Sequence, residues 1–290
     1  METKPQTKIK KRSKGISSGW IILGCLIVAH AFFYFYAGLG SFWQNPTEPG
    51  LAPEVVEKYL AQSHFDAKLH PIDMWGTLYQ GGFVIPIVIT LLLTVLTLSV
   101  ERFFALNRAS GKGNVAQFVV DAKAKLEAGD IEAAEKLCDK QKGSVANILK
   151  AALVRYRDVE NYPGMNNDEK AAIIQKEIEE ATTLELPYLE QNLNIIAAIS
   201  SLGTLFGLFG TVLGMIKSFG AMGQEGAPDS TALAVGISEA LMNTAMGIGT
   251  GACAIIAYTY FSGRIQDMTN SVDEVGFAIG QTYAKKHTEK

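Results

Sequence analysis

A chain of 290 residues that is 48% hydrophobic, with a mean hydropathy of +0.14, is too apolar for a wholly soluble protein, yet 19% of its residues are charged. Part membrane and part aqueous is the class that fits. A net charge of −3, with no long basic run outside the first 14 residues, excludes nucleic acid as a partner; three cysteines without an obvious pair and four histidines without ligand spacing leave neither a disulfide nor a metal site to expect.

Residues 1–16 are a basic segment in which Lys4, Lys8, Lys10, Lys11, Arg12 and Lys14 face one acid, Glu2. The uncharged run that follows, Gly15 to Thr47, predicts a first membrane helix over 17–39 with a cytoplasmic N-terminus, by the positive-inside rule. The run outlasts a signal-peptide core and has no small-x-small cleavage site, so the helix is expected to be retained. Leu23-Gly24-Cys25 is followed directly by strongly apolar sequence and is not read as a lipoprotein site.

Residues 44–75 turn acidic and carry Pro46, Pro49 and Pro53, which suits a periplasmic segment with a short helix from Glu54 to Gln62. A second uncharged run, Met74 to Val100, ends at Glu101-Arg102 and predicts a membrane helix over 76–104 running inward. Residues 105–190 read as a cytoplasmic helical domain in which Asn114, Asp130 and Ser144 take N-cap positions, Gly129 separates the first two helices, and Asn161 to Gly164 breaks the chain after the third. A helix restarting near Asp168 leads toward the next membrane run, with a kink or restart at Pro187.

That run, 191–219, has no charge between Glu190 and Lys217. Ser200, Thr204, Gly207, Thr211, Gly214 and Ser218 recur at steps of four and three and share one helical face, opposite Phe206, Leu208, Phe209 and Leu213. A small, polar stripe must face protein or water rather than lipid. Either the glycines let helices approach closely, or Thr204 and Thr211, a heptad apart, line a pathway. After a periplasmic loop at 220–231, a last membrane helix at 232–263 carries one charge, Glu239, an intramembrane carboxylate that suggests a pathway or an ion pair. Ile265, Met268, Val272, Val275 and Ile279 then continue as an amphipathic cytoplasmic tail over 264–290. With assumed helix ends at Lys217 and Ala232, the rise per residue places Glu239 level with Thr211, and Thr244 level with Thr204, in two polar layers. Both termini fall inside.

The expected fold is therefore an all-α integral membrane protein with four transmembrane helices and long helices extending into a cytoplasmic domain. No Walker A sequence and no Ser-His-Asp constellation is legible, and Gly247-Ile-Gly-Thr-Gly251 lies in a membrane helix with no strand before it, so neither an enzyme nor a nucleotide cofactor is expected.

Gly207-Leu-Phe-Gly-Thr-Val-Leu-Gly-Met-Ile216 with Phe219, followed by Glu239-Ala-Leu-Met-Asn-Thr-Ala-Met-Gly247 and Tyr258, resembles the MotA/TolQ/ExbB proton-channel family on its ExbB side. The likeness covers residues from about 80 to 285, with the first helix additional to a three-helix core. It implies a bacterial inner-membrane motor subunit: a pentamer around an ExbD-like single-helix partner with a membrane aspartate, driven by protons and acting through a TonB-like protein. A TolQ-like subunit for envelope maintenance and a non-conducting scaffold are the alternatives; four helices without a repeat are poor material for a solute carrier. The resemblance places Thr211 and Thr244 on pore threonines and Glu239 on a motif glutamate, and the expected proton pathway comprises Thr204, Thr211, Glu239, Asn243 and Thr244. Gly207, Gly214, Gly247 and Gly251 are expected to pack helices, including those of neighbouring subunits. The chain departs from the family at Thr204 and Cys253, where proline is usual, and at Thr259, commonly asparagine.

Overall fold

The structure is a computed structural model that describes residues 18–33, 43–44, 70–71, 78, 81–162, 165–222 and 230–288. The basic residues before Gly15, the expected helix from Glu54 to Gln62 and most of the expected 220–231 loop lie outside the described residues. The regular elements, in order, are α1 (Ser18–Ala31), β1 (Trp43–Gln44), β2 (His70–Pro71), α2 (Val84–Ser110), α3 (Val115–Glu127), α4 (Ile131–Gln141), α5 (Ser144–Glu160), α6 (Asn167–Leu189), α7 (Leu193–Met222) and α8 (Ser230–Thr288). Apart from β1 and β2, a two-residue antiparallel pair with Trp43 opposite Pro71, every regular element among the described residues is helical.

Among the described residues three helices, α2, α7 and α8, are long and apolar enough to cross a membrane. Sequence reading predicts four. The first, α1, is described as 14 α-helical residues, short of the roughly 20 a crossing needs, and the part of the expected 17–39 helix from residue 34 on lies outside the described residues.

Contacts divide the chain into two units, Met1–Thr97 with Ile199–Cys253, and Leu98–Ala198 with Ala254–Lys290. In the first, Ala29 and Phe33 pack with Leu78, Ile85 and Ile89, and Met242 and Met246 of α8 close over them. The sequence of α2 makes this possible because Ile85, Ile89 and Leu93 stand one turn apart on one face. Thr90 and Thr94, also buried, donate to Pro86 O and Thr90 O at 2.7 and 2.8 Å, which disposes of their hydroxyls within their own helix.

The second unit is a bundle with an aliphatic and aromatic core. Leu149, Leu153 and Tyr156 of α5 are buried, as are Ile174 of α6 and Val272, Val275, Ile279 and Tyr283 of α8; the rings of Tyr156 and Tyr283 meet edge to face at 5.2 Å. Asn114 Oδ1 accepts from Ala116 N, and Asp130 Oδ1 from Ala133 N, each at 2.9 Å, so both side chains serve as N-caps. Ser144 does not. The N-cap of α5 is Gly143, whose φ of +153° runs its backbone against the end of α2: a Cβ there would lie 2.5 Å from Ala109 O, which fixes glycine at the position and moves serine one residue into the helix. Cys138 is buried in α4, and its thiol is pushed up to about 12 by desolvation, with the Asp139 carboxylate adding to the effect.

The kink or restart expected at Pro187 is a restart, and it falls a few residues later. α6 carries Pro187 in its last turn, ends at Leu189, and the chain reverses its local geometry at Asn192, φ +65°, before α7 starts at Leu193. The carbonyls at this helix end are taken by Arg102 of α2, which is 1% exposed: Nη1 donates to Tyr188 O at 3.2 Å and Leu189 O at 3.4 Å. Its Nε and Nη2 grip both oxygens of Glu101, and Asn192 Nδ2 donates to Glu101 Oε2 at 3.3 Å. A cation at a helix C-terminus also sits where the macrodipole is negative.

Candidate functional site

Within the first unit, α7 and α8 meet through glycine. A Cβ on Gly207 would fall 2.9 Å from Gly247 Cα, one on Gly247 would fall 2.5 Å from Gly207 Cα, and one on Gly214 would fall 2.8 Å from Gly236 O. Gly251 is closed in by Thr204 Oγ1 at 2.7 Å and Ser200 O at 2.8 Å from where its Cβ would be. Backbones this close leave room for nothing larger than hydrogen. The small face of the α7 stripe thus packs inside one chain, Gly207 against Gly247, Gly214 against Gly236 and Ala240, and Gly251 of α8 against Thr204 and Ser200.

Hydroxyls edge this contact. Thr211 and Thr244 hydrogen-bond to each other through their Oγ1 atoms; Thr211 Oγ1 also lies 3.2 Å from Gly207 O and 3.3 Å from Ala240 O, and Thr244 Oγ1 is 3.1 Å from Ala240 O. Two hydroxyl protons serve the contact, and both threonines remain half-buried, so lone pairs on their open side can accept from water. Thr204 is exposed, its Oγ1 3.4 Å from Ser200 O, and Ser218, fully buried, donates to Leu233 O at 3.3 Å. Glu239 pairs with Lys217, Nζ to Oε2 2.9 Å, with the glutamate side chain only 12% exposed. Of the two sequence readings of this carboxylate, the ion pair is present.

The register of the pair differs from the expected layers. Thr211 meets Thr244, not Glu239, and Thr204 meets Gly251, not Thr244. α7 does not stop at Lys217 but continues to Met222, and α8 starts at Ser230; Thr211 meets α8 five residues, and Thr204 seven residues, farther along than assumed helix ends place them. Asn243, the other expected pathway residue, turns away from the hydroxyls: it is 1% exposed, with its Cγ 2.5 Å from where a Gly210 Cβ would be. Sequence reading missed Lys217 as the partner of Glu239, Thr250 as a second buried polar residue of α8, and Arg102. The seven-residue step from Asn243 to Thr250 was the available signal for the second.

Arranged this way, the site can hold and orient water with hydroxyls beside one ion pair. It has no titratable group at Thr211 or Thr244 to store a proton near neutral pH. Among the described residues no cluster of histidine, cysteine or carboxylate side chains suits a metal ion.

The sequence model of the MotA/TolQ/ExbB proton channel family matches residues 140–274. Similar proteins include the Tol-Pal system protein TolQ of Pseudomonas aeruginosa, 27% identical over 66% of this chain and 84% of its own length. TolQ of Haemophilus influenzae is 33% identical over 42% of this chain and 56% of its own. The biopolymer transport protein ExbB of Salmonella typhimurium is 24% identical over 53% of this chain and 64% of its own. The chain thus spans most of the first relative and a little over half of the other two. The paired glycine-threonine helices lie inside the matched span, and over residues 140–274 the chain carries the MotA/TolQ/ExbB proton channel family's sequence.

Proposed function

We propose that this protein is the channel-forming subunit of a proton-driven membrane motor of the ExbB kind, a conducting protein rather than an enzyme. It assembles as a homo-oligomer, a pentamer by the family resemblance, in the bacterial inner membrane with both termini cytoplasmic, around a partner helix that brings a carboxylate. A TonB-like protein carries the motion to outer-membrane transport. The observation that carries the reading is the Thr211–Thr244 hydroxyl contact, half-open at the edge of two apolar helices, with the Glu239–Lys217 pair on the same crossing. Hydroxyls hydrate and orient, and the titratable carrier comes from the partner, because neither threonine can store a proton.

A TolQ-like role in envelope maintenance is the second reading, favoured by the long alignment to the Pseudomonas aeruginosa protein. Proton flux into vesicles holding the chain with its partner tests the first. Thr244→Val is expected to abolish most of the flux while the assembly stays intact by native mass spectrometry. Undiminished flux in that variant, or full flux from the chain reconstituted alone, removes the proposed mechanism. Loss of TonB-dependent nutrient uptake against loss of detergent resistance in a deletion strain separates the ExbB from the TolQ role.

A further inference from the structure

On the glycine side of the α7–α8 contact, α8 presents Asn243, Gly247 and Thr250 to Gly210, Gly207 and Gly203 of α7. The two polar residues are each 1% exposed, and neither Nδ2 nor Oδ1 of Asn243, nor Oγ1 of Thr250, has a hydrogen-bonding protein group in reach among the described residues. The carboxamide lies between two glycines: a Cβ on Gly210 would sit 2.7 Å from Nδ2, and one on Gly81 would sit 3.2 Å from Oδ1. Thr250 Cγ2 is 3.2 Å from a Cβ built on Gly203. Glycine walls make room for these side chains but supply no side-chain partner. An amide without a partner in an apolar interior costs several kcal/mol, and leucine has nearly the same outline as asparagine without that cost.

We propose that Asn243 and Thr250 are water-binding positions, two internal hydration sites on one face of α8, distinct from the Thr211–Thr244 contact. They stand seven residues apart, about 10 Å along the helix, with the Gly207–Gly247 contact between them. A water at Asn243 gives the carboxamide a donor and an acceptor at once, and one at Thr250 takes the hydroxyl proton. Because the adjoining wall of α7 is glycine backbone, a small parting of α7 from α8 admits a water without any rotamer change on that helix. Such polar groups inside a membrane helix pair are kept for what they bind.

The test reads bound water and not proton flux, so it stands or fails separately from the proposed function. In a cryo-EM map of the assembled protein in lipid nanodiscs, fine enough to show ordered water, density is expected within about 3.2 Å of the Asn243 carboxamide and of Thr250 Oγ1. X-ray hydroxyl-radical footprinting supplies the second measurement, since radicals form at bound water and Met242 and Met246 flank Asn243. Their oxidation is expected to fall about fivefold or more in Asn243→Leu, and to stay unchanged in Thr250→Val, with Met222 as the exposed control. Thr250→Val should remove only the density at its own position. A map in which the carboxamide bonds another protein group, or has no density beside it, overturns the proposal, as does oxidation of the two methionines unaltered by Asn243→Leu.

Discussion

The two units bury their polar groups by opposite means. Along α7 and α8 in the first unit, contact is made by glycine backbone and short hydroxyls, while Leu205, Leu208, Phe209, Leu241 and Ile248 point outward. In the bundle, Leu149, Leu153, Tyr156 and Tyr283 point inward and, apart from the buried Arg102 and Lys170, charge lies toward the surface, in pairs such as Lys123–Glu274 at 2.5 Å and Arg155–Glu177 at 2.9 Å. Lipid is as apolar as leucine, so burying leucine between membrane helices gains little, and close approach is what holds them. In water the same burial stabilises by about 25 cal/mol per Å². One residue type therefore has opposite value in the two settings.

Exchanging the means should break each unit in a graded way. Gly247→Leu forces a side chain into the Gly207 backbone and is expected to cost more than about 4 kcal/mol, seen as loss of folded protein in detergent thermal melts. Arg102→Met leaves Glu101 and two helix-end carbonyls without their donor, a loss of about 3–5 kcal/mol; hydrogen exchange should accelerate at residues 186–193, with Arg102→Lys restoring part of the protection. Leu153→Ala should cost about 3 kcal/mol, read from the same melts. Burial raises the Cys138 thiol from 9.0 to about 12, so its contribution is whole below pH 9 and lost as pH climbs through that window. At pH 10 the wild type should have lost about 1 kcal/mol relative to Cys138→Ala, measured by denaturant titration at pH 7 and pH 10. Lys123→Ala, at a half-exposed surface pair, should change stability by less than about 1 kcal/mol.

Much of this was legible in the chain. Charge-free runs mark α2 and α7, a run with the single charge Glu239 marks α8, and three-and-four spacing marks both the glycine-hydroxyl face of α7 and the buried face of α8 from Ile265 to Ile279, because helical period is a local property. Asn114 and Asp130 were legible as caps for the same reason. What escaped depends on which backbone passes nearby. Ser144 has cap chemistry, but the approach of Ala109 and Gly111 hands that position to Gly143. The Thr211–Thr244 register rests on where α7 ends, and no charge or proline lies between Lys217 and that end at Met222. Arg102 reads in sequence as one more residue of a membrane boundary, and only the fold brings the end of α6 to it.

The bundle core has a consequence for synthesis. Its buried positions come from Leu98–Ala198 and from Ala254–Lys290, two stretches of chain separated by both glycine-lined membrane segments. Val145, Ile148, Leu149, Ala152 and Ile178 surround a small space closed on its far side by Val272, Val275 and Ile279. On the ribosome, then, α5 and α6 are complete more than seventy residues before the surface that covers them exists. During that interval their apolar faces are open, and a nascent chain halted after α7 presents a binding surface for any chaperone that recognises exposed aliphatic helix. The bundle can close only after α7 and the first half of α8 have been made.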